Sequence, residues 1–254
     1  MFASPKTWSY IDYDVASSAF QKCIRRSIWP DAFYWALELY WTGTFGKKNI
    51  WNRVLNASLE DIGPADPTLF MFISEQLYMK DELNLACAVY LLTTTKKCRT
   101  NDWVSCTSDH SLYEKVKYRV TPDDYLNLRY ALAGGDRCII MQWLDRIYFS
   151  DKADKPSNNI FAILSEFYPK RYVSACIAVE RESTWRYNVK SRLLFTHLMN
   201  CKCYNLFTKE DYTTEEYFNR YAPMIDEFNS ILGKAYNRET QLEIKDFYLD
   251  KHTK

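Results

Sequence analysis

Apolar residues recur at helical spacing along most of this chain, and that periodicity limits the fold more than any other feature. Ala16, Ala19, Phe20, Cys23 and Ile24 form one stripe after Asp14, a residue suited to N-capping. Pro30 and Asp31 open a second helix carrying Phe33, Trp35, Ala36 and Leu39, and Thr42-Gly43-Thr44-Phe45-Gly46 ends it. A third helix carries two adjacent stripes, Ile50, Val54 and Ala57 beside Trp51, Leu55, Ser58 and Ile62, before Gly63-Pro64 stops it. Asp66-Pro67 restarts the chain as N-cap and N1. Leu69, Ile73, Gln76 and Leu77 mark the fourth helix; Leu83, Ala86, Cys87, Tyr90 and Leu91 mark the fifth. The spacing predicts helices over 14–27, 31–41, 49–62, 67–79 and 82–95.

A polar connector over 93–120 leads to Thr121-Pro122-Asp123-Asp124, a cap, an N1 proline and two acids near the positive end of a helix dipole. Ile139, Ile140, Trp143, Leu144 and Ile147 follow at helical spacing. After a loop over 151–159, helical patterns resume at Ile160, Arg171 and Trp185, and again near Glu215 and Glu239. With only 6 glycines in 254 residues, few positions suit the positive-φ turns of hairpin-rich β proteins. The expected class is all-α, with a helical domain over 10–100 and a second over 121–254.

Charge excludes a global electrostatic draw on nucleic acid: 33 Lys+Arg against 32 Asp+Glu leave a net charge of +1, so any phosphate contact needs a local patch. Eight cysteines invite a disulfide reading, but Met1 to Tyr10 is not a secretory leader. Cys23, Cys87, Cys138 and Cys176 fall in amphipathic patterns, where cysteine acts as a small hydrophobe. A reducing, intracellular setting is expected. No apolar run approaches the roughly 18 residues of a membrane span, so no membrane partner is expected.

No cluster of residues announces catalysis. The sequence lacks the GxxxxGK[ST] loop that cradles nucleotide phosphates. Glu60 and Asp61 have no nucleophile or metal context. Asp61 continues the Ile50, Val54, Ala57 stripe and should be buried against a cation, for which Arg25 or Arg26 is the natural partner; Glu60 falls on the polar side. Cys201-Lys202-Cys203 with His197 is half a zinc site, but one residue between the thiols is too few and no second ligand pair follows; His110 near Cys106 is weaker. No catalytic, cofactor or metal site is expected. Three basic groups are candidates for contact with DNA or a partner: Lys22, Arg25 and Arg26; Lys47, Lys48 and Arg53; Lys96, Lys97 and Arg99. The alternative reading places them at solvated helix ends.

The segment Tyr13-Asp14-Val15 through Phe20-Gln21-Lys22-Cys23-Ile24-Arg25-Arg26-Ser27, continued by Ala32-Phe33-Tyr34-Trp35, resembles the C-terminal oligomerisation region of the MgsA/RarA (Werner-helicase-interacting protein) AAA+ ATPases. Ser58-Leu59-Glu60-Asp61-Ile62-Gly63-Pro64-Ala65-Asp66-Pro67 is similar to that family's SEDIGLADP signature, and Leu85-Ala86-Cys87-Ala88-Val89-Tyr90-Leu91 to a following helix. The resemblance covers about residues 10–100. It departs from the pattern where Arg26 replaces a glycine, where Ile28-Trp29 replaces an acidic turn, and at the loosely kept Thr94-Thr95-Lys96-Lys97-Cys98-Arg99. What it implies is a clamp-loader collar-like helical domain without the ATPase half, with Ser58, Glu60, Asp61, Gly63, Asp66 and Pro67 as its structural motif. It further implies a non-enzymatic oligomerisation or interaction protein in DNA replication, repair or recombination. Such a protein would associate with itself or with a related AAA+ ATPase, with DNA as a further partner, in the nucleus or nucleoid. Trp29, Phe33, Trp41, Phe45 and Trp51, at helix ends and turns, would anchor that association; the alternative is that they pack against residues 120–254. The competing reading is a structural scaffold or virion component that kept the fold without a DNA role.

Shifting the chain by 108 residues lays Ile24, Trp35, Leu39 and Tyr40 on Leu132, Trp143, Ile147 and Tyr148. Either a degenerate repeat or the chance register of two amphipathic helix pairs accounts for this, and four matches favour chance.

Overall fold

A computed structural model of the chain describes residues 5–102, 120–150, 157–182, 187–203 and 214–236. Among these residues the fold is all-α, the sole β feature being an isolated bridge between Lys6 and Asp12. The helices are α1 (Tyr13–Arg25), α2 (Trp29–Tyr40), α3 (Thr44–Ala57), α4 (Leu69–Phe72), α5 (Glu82–Thr94), α6 (Pro122–Gly134), α7 (Arg137–Ser150), α8 (Ser157–Phe167), α9 (Lys170–Glu182), α10 (Tyr187–Cys203), α11 (Thr214–Tyr221) and α12 (Ile225–Tyr236). Wider π turns occupy Ser58–Ile62 and Ile73–Leu77, and tight 3₁₀ turns occupy Gly63–Ala65 and Ala222–Met224.

The five helices expected before residue 100 are present with shifted ends. Asp12 rather than Asp14 stands at the N-cap of α1. The Thr42–Gly46 stretch both ends α2 and starts α3, because Thr44 already lies in helix. The long helix expected over 49–62 leaves α geometry at Ser58, and that expected over 67–79 becomes a single α turn followed by a π turn. Thr121 and Asp124 form the anticipated start as a reciprocal capping box. The patterns near Trp185 and Glu239 lie outside the described residues.

The described residues divide into two compact units that do not follow the boundary expected near residue 100: one takes residues up to 57, 75–95 and 214–236, the other 58–74 and the described residues between 96 and 203. In the first unit α5 is the central helix, contacted by α1, α2, α3, α11 and α12. Leu85 through Val89 and Leu91 through Thr93 are all buried, as an all-round apolar helix requires. Trp29 stacks on Phe33 at 5.1 Å and meets Tyr90 at 5.4 Å and Phe228 of α12 at 4.9 Å. Trp51 is fully buried. Of the rings offered for an interface, Phe33 and Trp51 are buried and Trp29 is half-buried, and Phe228 of α12 covers Trp29 and Phe33, the alternative placement against the later residues. Glu38, also buried, accepts hydrogen bonds from Thr7 Oγ1 (3.0 Å), Ser9 N (3.1 Å), Ser9 Oγ (2.6 Å) and Tyr34 Oη (3.3 Å), which pins the loop before α1.

In the second unit α10 is central, contacted by α7, α9, the Ser58–Ile62 π turn and the Gly63–Ala65 turn. Its described side chains, Leu193 to Cys201, are all buried. Buried Cys87, Cys176 and Cys201 behave as small hydrophobes, whereas Cys138 is exposed on the first turn of α7, against expectation.

The 108-residue offset can be followed in the structure. It carries α1 and α2 onto α6 and α7 with ends matching within two residues. The linking left-handed residue, Ser27 at φ +58°, falls on Gly135 at φ +75°. Buried Phe20, Ile24, Ala36 and Leu39 fall on buried Leu128, Leu132, Leu144 and Ile147. The two hairpins thus share helix ends, a left-handed corner residue and four core positions at one offset.

Candidate functional site

The nine basic residues sit in three different surroundings. Lys22 and Arg25 occupy the last turn of α1 and Arg26 its C-cap, beside the negative end of the helix dipole. Lys22 and Arg26 are exposed.

Lys47, Lys48 and Arg53 belong to α3 and are partly buried. The Lys47 ammonium lies 5.0 Å from the Tyr40 ring centroid. A hydrogen bond with Tyr40 holds its pKa above the usual lysine range despite burial. Lys47 is therefore engaged within its own unit. Lys48 and Arg53 stand three and eight residues after Phe45, a spacing that returns to one side of the helix. Phe45 is half exposed and packs one edge on Tyr13, ring centroids 5.5 Å apart. One exposed aromatic and two basic residues thus share one side of α3.

Lys96, Lys97 and Arg99 lie in the second unit, where two of them attend to Asp61. Asp61 is fully buried, as its stripe position requires, while Glu60 is partly exposed. The cation found beside Asp61 is Arg99, where Arg25 or Arg26 was expected. Arg99 Nε approaches Asp61 Oδ1 at 3.5 Å and pairs through Nη2 with Asp102. Burial pulls the Lys97 pKa down while Asp61 opposes the shift. The chain leaves α geometry at Ser58, and Asp61 lies in the second unit beside the 97–99 segment. There the Cys98 N–H donates to the Asp61 carbonyl at 2.8 Å.

The other motif residues are architectural. Ser58 and Gly63 are buried. Gly63 holds φ +47°, and a Cβ there would lie 2.9 Å from Asn101 Nδ2 and 3.0 Å from the Cys98 carbonyl. Asp66-Pro67 is not the N-cap and N1 of a helix. α4 starts at Leu69, and Asp66 makes a turn, accepting from Thr68 Oγ1 (3.3 Å) and from Leu69 N (3.2 Å).

Next to this motif lies a buried polar chain that periodicity does not reveal. Arg137 Nη1 donates to Asn200 Oδ1 at 3.1 Å, and Asn200 Nδ2 donates to Asn101 Oδ1 at 2.8 Å. Asn101 Nδ2 donates to the Leu59 carbonyl at 2.8 Å and lies 3.1 Å from His197 Nδ1. An amide nitrogen only donates, so Nδ1 accepts and the neutral ring carries its proton on Nε2. His197 also hydrogen-bonds to the backbone of Pro67, which has only a carbonyl to offer. Phe70 meets the ring edge-on at 5.5 Å. Burial pushes the His197 pKa down to about 4, with the Pro67 bond opposing. The sequence reading missed this buried polar chain; the i, i+3 spacing of His197 and Asn200 in a largely apolar helix is the one signal that points to it, and Asn101 in the aperiodic connector gives none.

His197 and Cys201 are buried together, Nε2 to Sγ 3.6 Å, and burial raises the Cys201 pKa. Among the described residues no three His, Cys, Asp or Glu side chains converge as a metal site. Cys106 and His110 and the side chains of Lys202 and Cys203 lie outside what is described. No described helix is long and apolar enough to cross a membrane. Comparison with protein-family models, curated proteins and solved structures finds no match for this chain.

Proposed function

We propose that this chain is a non-enzymatic interaction protein of DNA replication, repair or recombination, working with copies of itself or with a related AAA+ ATPase. The resemblance of residues 10–100 to MgsA/RarA collar regions motivates the setting. One observation supports direct DNA contact: the side of α3 where half-exposed Phe45 stands with Lys48 and Arg53. An exposed ring offers a stacking platform for an unpaired base, and flanking cations neutralise phosphates. The basic residues at 97 and 99 are occupied by Asp61 and are withdrawn from this role.

Fluorescence anisotropy of a forked DNA with single-stranded arms, titrated with the full chain over a salt series, tests the reading. Binding should weaken with salt. Lys48→Ala with Arg53→Ala should flatten the log–log slope by about 0.7–0.9 per contact removed. Phe45→Ala should weaken binding by about 1–3 kcal/mol. A chain with no salt-dependent affinity at low ionic strength would favour the scaffold or virion-component reading.

A further inference from the structure

The buried polar chain that runs from Arg137 to Pro67 has a direction, and both of its ends fix it. A guanidinium only donates, so the Asn200 atom 3.1 Å from Arg137 Nη1 is Oδ1. That leaves Asn200 Nδ2 to face Asn101, 2.8 Å from its Oδ1. A carbonyl only accepts, so the Asn101 atom 2.8 Å from the Leu59 oxygen is Nδ2. The same Nδ2 faces His197 Nδ1 at 3.1 Å, and the ring gives its other N–H to the Pro67 carbonyl. Every link donates the same way, from a cation on α7 to two carbonyls of the 58–67 segment. Turning either amide alone sets donor against donor and oxygen against oxygen. The two amides therefore turn together or not at all.

We propose that these groups form a proton-driven relay: a proton taken up at His197 Nδ1 turns the Asn101 amide, then the Asn200 amide, and releases the Arg137 side chain from α10. A protonated Nδ1 is a donor aimed at Asn101 Nδ2. Turning Asn101 restores that bond, but it brings the amide oxygen against the Leu59 carbonyl and the amide nitrogen against Asn200 Nδ2. Turning Asn200 repairs the second conflict and brings its own nitrogen against Arg137. The conflict ends there. Arg137 is exposed, so water can solvate its guanidinium, whereas Asn101, His197 and Asn200 are sealed. The ties of α10 to the start of α7 and of Asn101 to Leu59 are thus lost together. By linkage the coupling also runs backwards: drawing Arg137 off Asn200 eases protonation of the ring.

Burial holds Cys201, 3.6 Å from Nε2, and Tyr172 and Cys176 of α9 well above their ordinary ranges, so these three stay neutral as acid is added. Asp66 precedes Pro67. Asp61, with Arg99 and Lys97 beside it, follows Leu59 on the π turn, and Asp102 follows Asn101. Asp145 and Glu180, buried on α7 and α9, stand about two helical turns past Arg137 and about one past Cys176. The relay is independent of the DNA reading of α3.

Proton–nitrogen correlation NMR of the full chain follows both ends of the relay through an acid titration. At neutral pH His197 should carry its proton on Nε2. On acidification the Arg137 Nε–H signal should shift with the same midpoint as the His197 ring, about 4. Arg137→Ala should raise that midpoint by about half a unit or more, roughly a threefold gain in proton affinity. Asn200→Val, with no change of charge, should move it the same way. Arg129→Ala removes an equal charge from an exposed pair in the same unit and should leave the midpoint in place. Asp66→Asn should leave the shift caused by Arg137→Ala unchanged. Circular dichroism checks that each variant is as helical as the parent, and because Arg137 is exposed its variant decides the matter even where Asn200→Val does not fold. A ring protonated on Nδ1 at neutral pH or an Arg137 signal that ignores the His197 titration would overturn the proposal. So would a midpoint unmoved by Arg137→Ala or moved as far by Arg129→Ala, or unfolding in acid before Arg137 responds.

Discussion

Replacing Asn101 by alanine should be among the most costly single changes in the second unit. Its side chain makes three hydrogen bonds in a sealed environment: to the Leu59 carbonyl, to His197 Nδ1 and from Asn200 Nδ2. Each bond is worth on the order of 1 kcal/mol net, and a buried group left without a partner costs about 1–3 kcal/mol more. Allowing for relaxation, the loss should be about 3–5 kcal/mol. Urea unfolding followed by circular dichroism measures it, with labelling of the buried Cys201 thiol as a reporter specific to the unit. Exposed Asn219→Ala is the control and should change little. Asn101→Asp should act differently. A carboxylate facing Nδ1 favours the imidazolium, so the His197 pKa should rise well above its low native value while the Leu59 contact turns repulsive. A loss below about 1 kcal/mol for Asn101→Ala, indistinguishable from Asn219→Ala, would refute the claim that this amide ties the Ser58–Pro67 segment to α10.

Four further outcomes follow from the same structure. Asp61→Ala should cost about 2–3 kcal/mol in a denaturant titration, less than for two sealed charges because Arg99 is half exposed and keeps Asp102, whereas Glu60→Ala should cost under about 1 kcal/mol. Gly63→Ala combines left-handed strain with a clash against Asn101 and Cys98 and should lower stability by about 2 kcal/mol or more; unchanged thermal unfolding would show that the turn relaxes freely. His197 is neutral when folded, so protons bind the unfolded chain preferentially between its ordinary pKa of 6.5 and about 4: its contribution is complete above that window and lost as pH falls through it, by about 3 kcal/mol, and His197→Phe should flatten the profile. Glu38→Ala should release the loop before α1, seen as faster amide exchange at Ser9, whose N–H donates to that carboxylate; protection equal to that of the parent would count against the pinning role.

Helix existence and the buried position of Asp61 were legible because both follow from a 3.6-residue period. The fold's joints were not. A π turn at Ser58 needs one more residue per hydrogen-bonded ring than an α turn, and nothing in Ser58-Leu59-Glu60-Asp61-Ile62 betrays that choice. Once the helix type changed there, the partner of Asp61 changed with it. The aromatic positions left two readings open, because Trp29 and Phe33 look surplus to a small core until Phe228, almost two hundred residues later, closes over them. Long-range closure of this kind leaves no local periodic trace. The offset sat between these cases. Four matching residues were too few to read from sequence that helix ends, the left-handed residue at the corner and the pattern of burial agree at one offset. Of the basic groups, the sequence located all three, but only the structure separates Lys97 and Arg99, which attend to Asp61, from Lys48 and Arg53 beside an exposed ring.

The central claim is that this chain acts through association in DNA metabolism rather than through catalysis or as a structural scaffold. Covalent cross-linking of the tagged, full-length chain in the cells that produce it, followed by identification of what is joined to it, tests that claim most directly. The account predicts copies of the chain itself together with a clamp-loader-like ATPase or other replication and recombination proteins, and recovery of DNA that falls when Lys48 and Arg53 are replaced. Recovery of coat or assembly proteins alone, with neither DNA nor a DNA-processing partner, would contradict it.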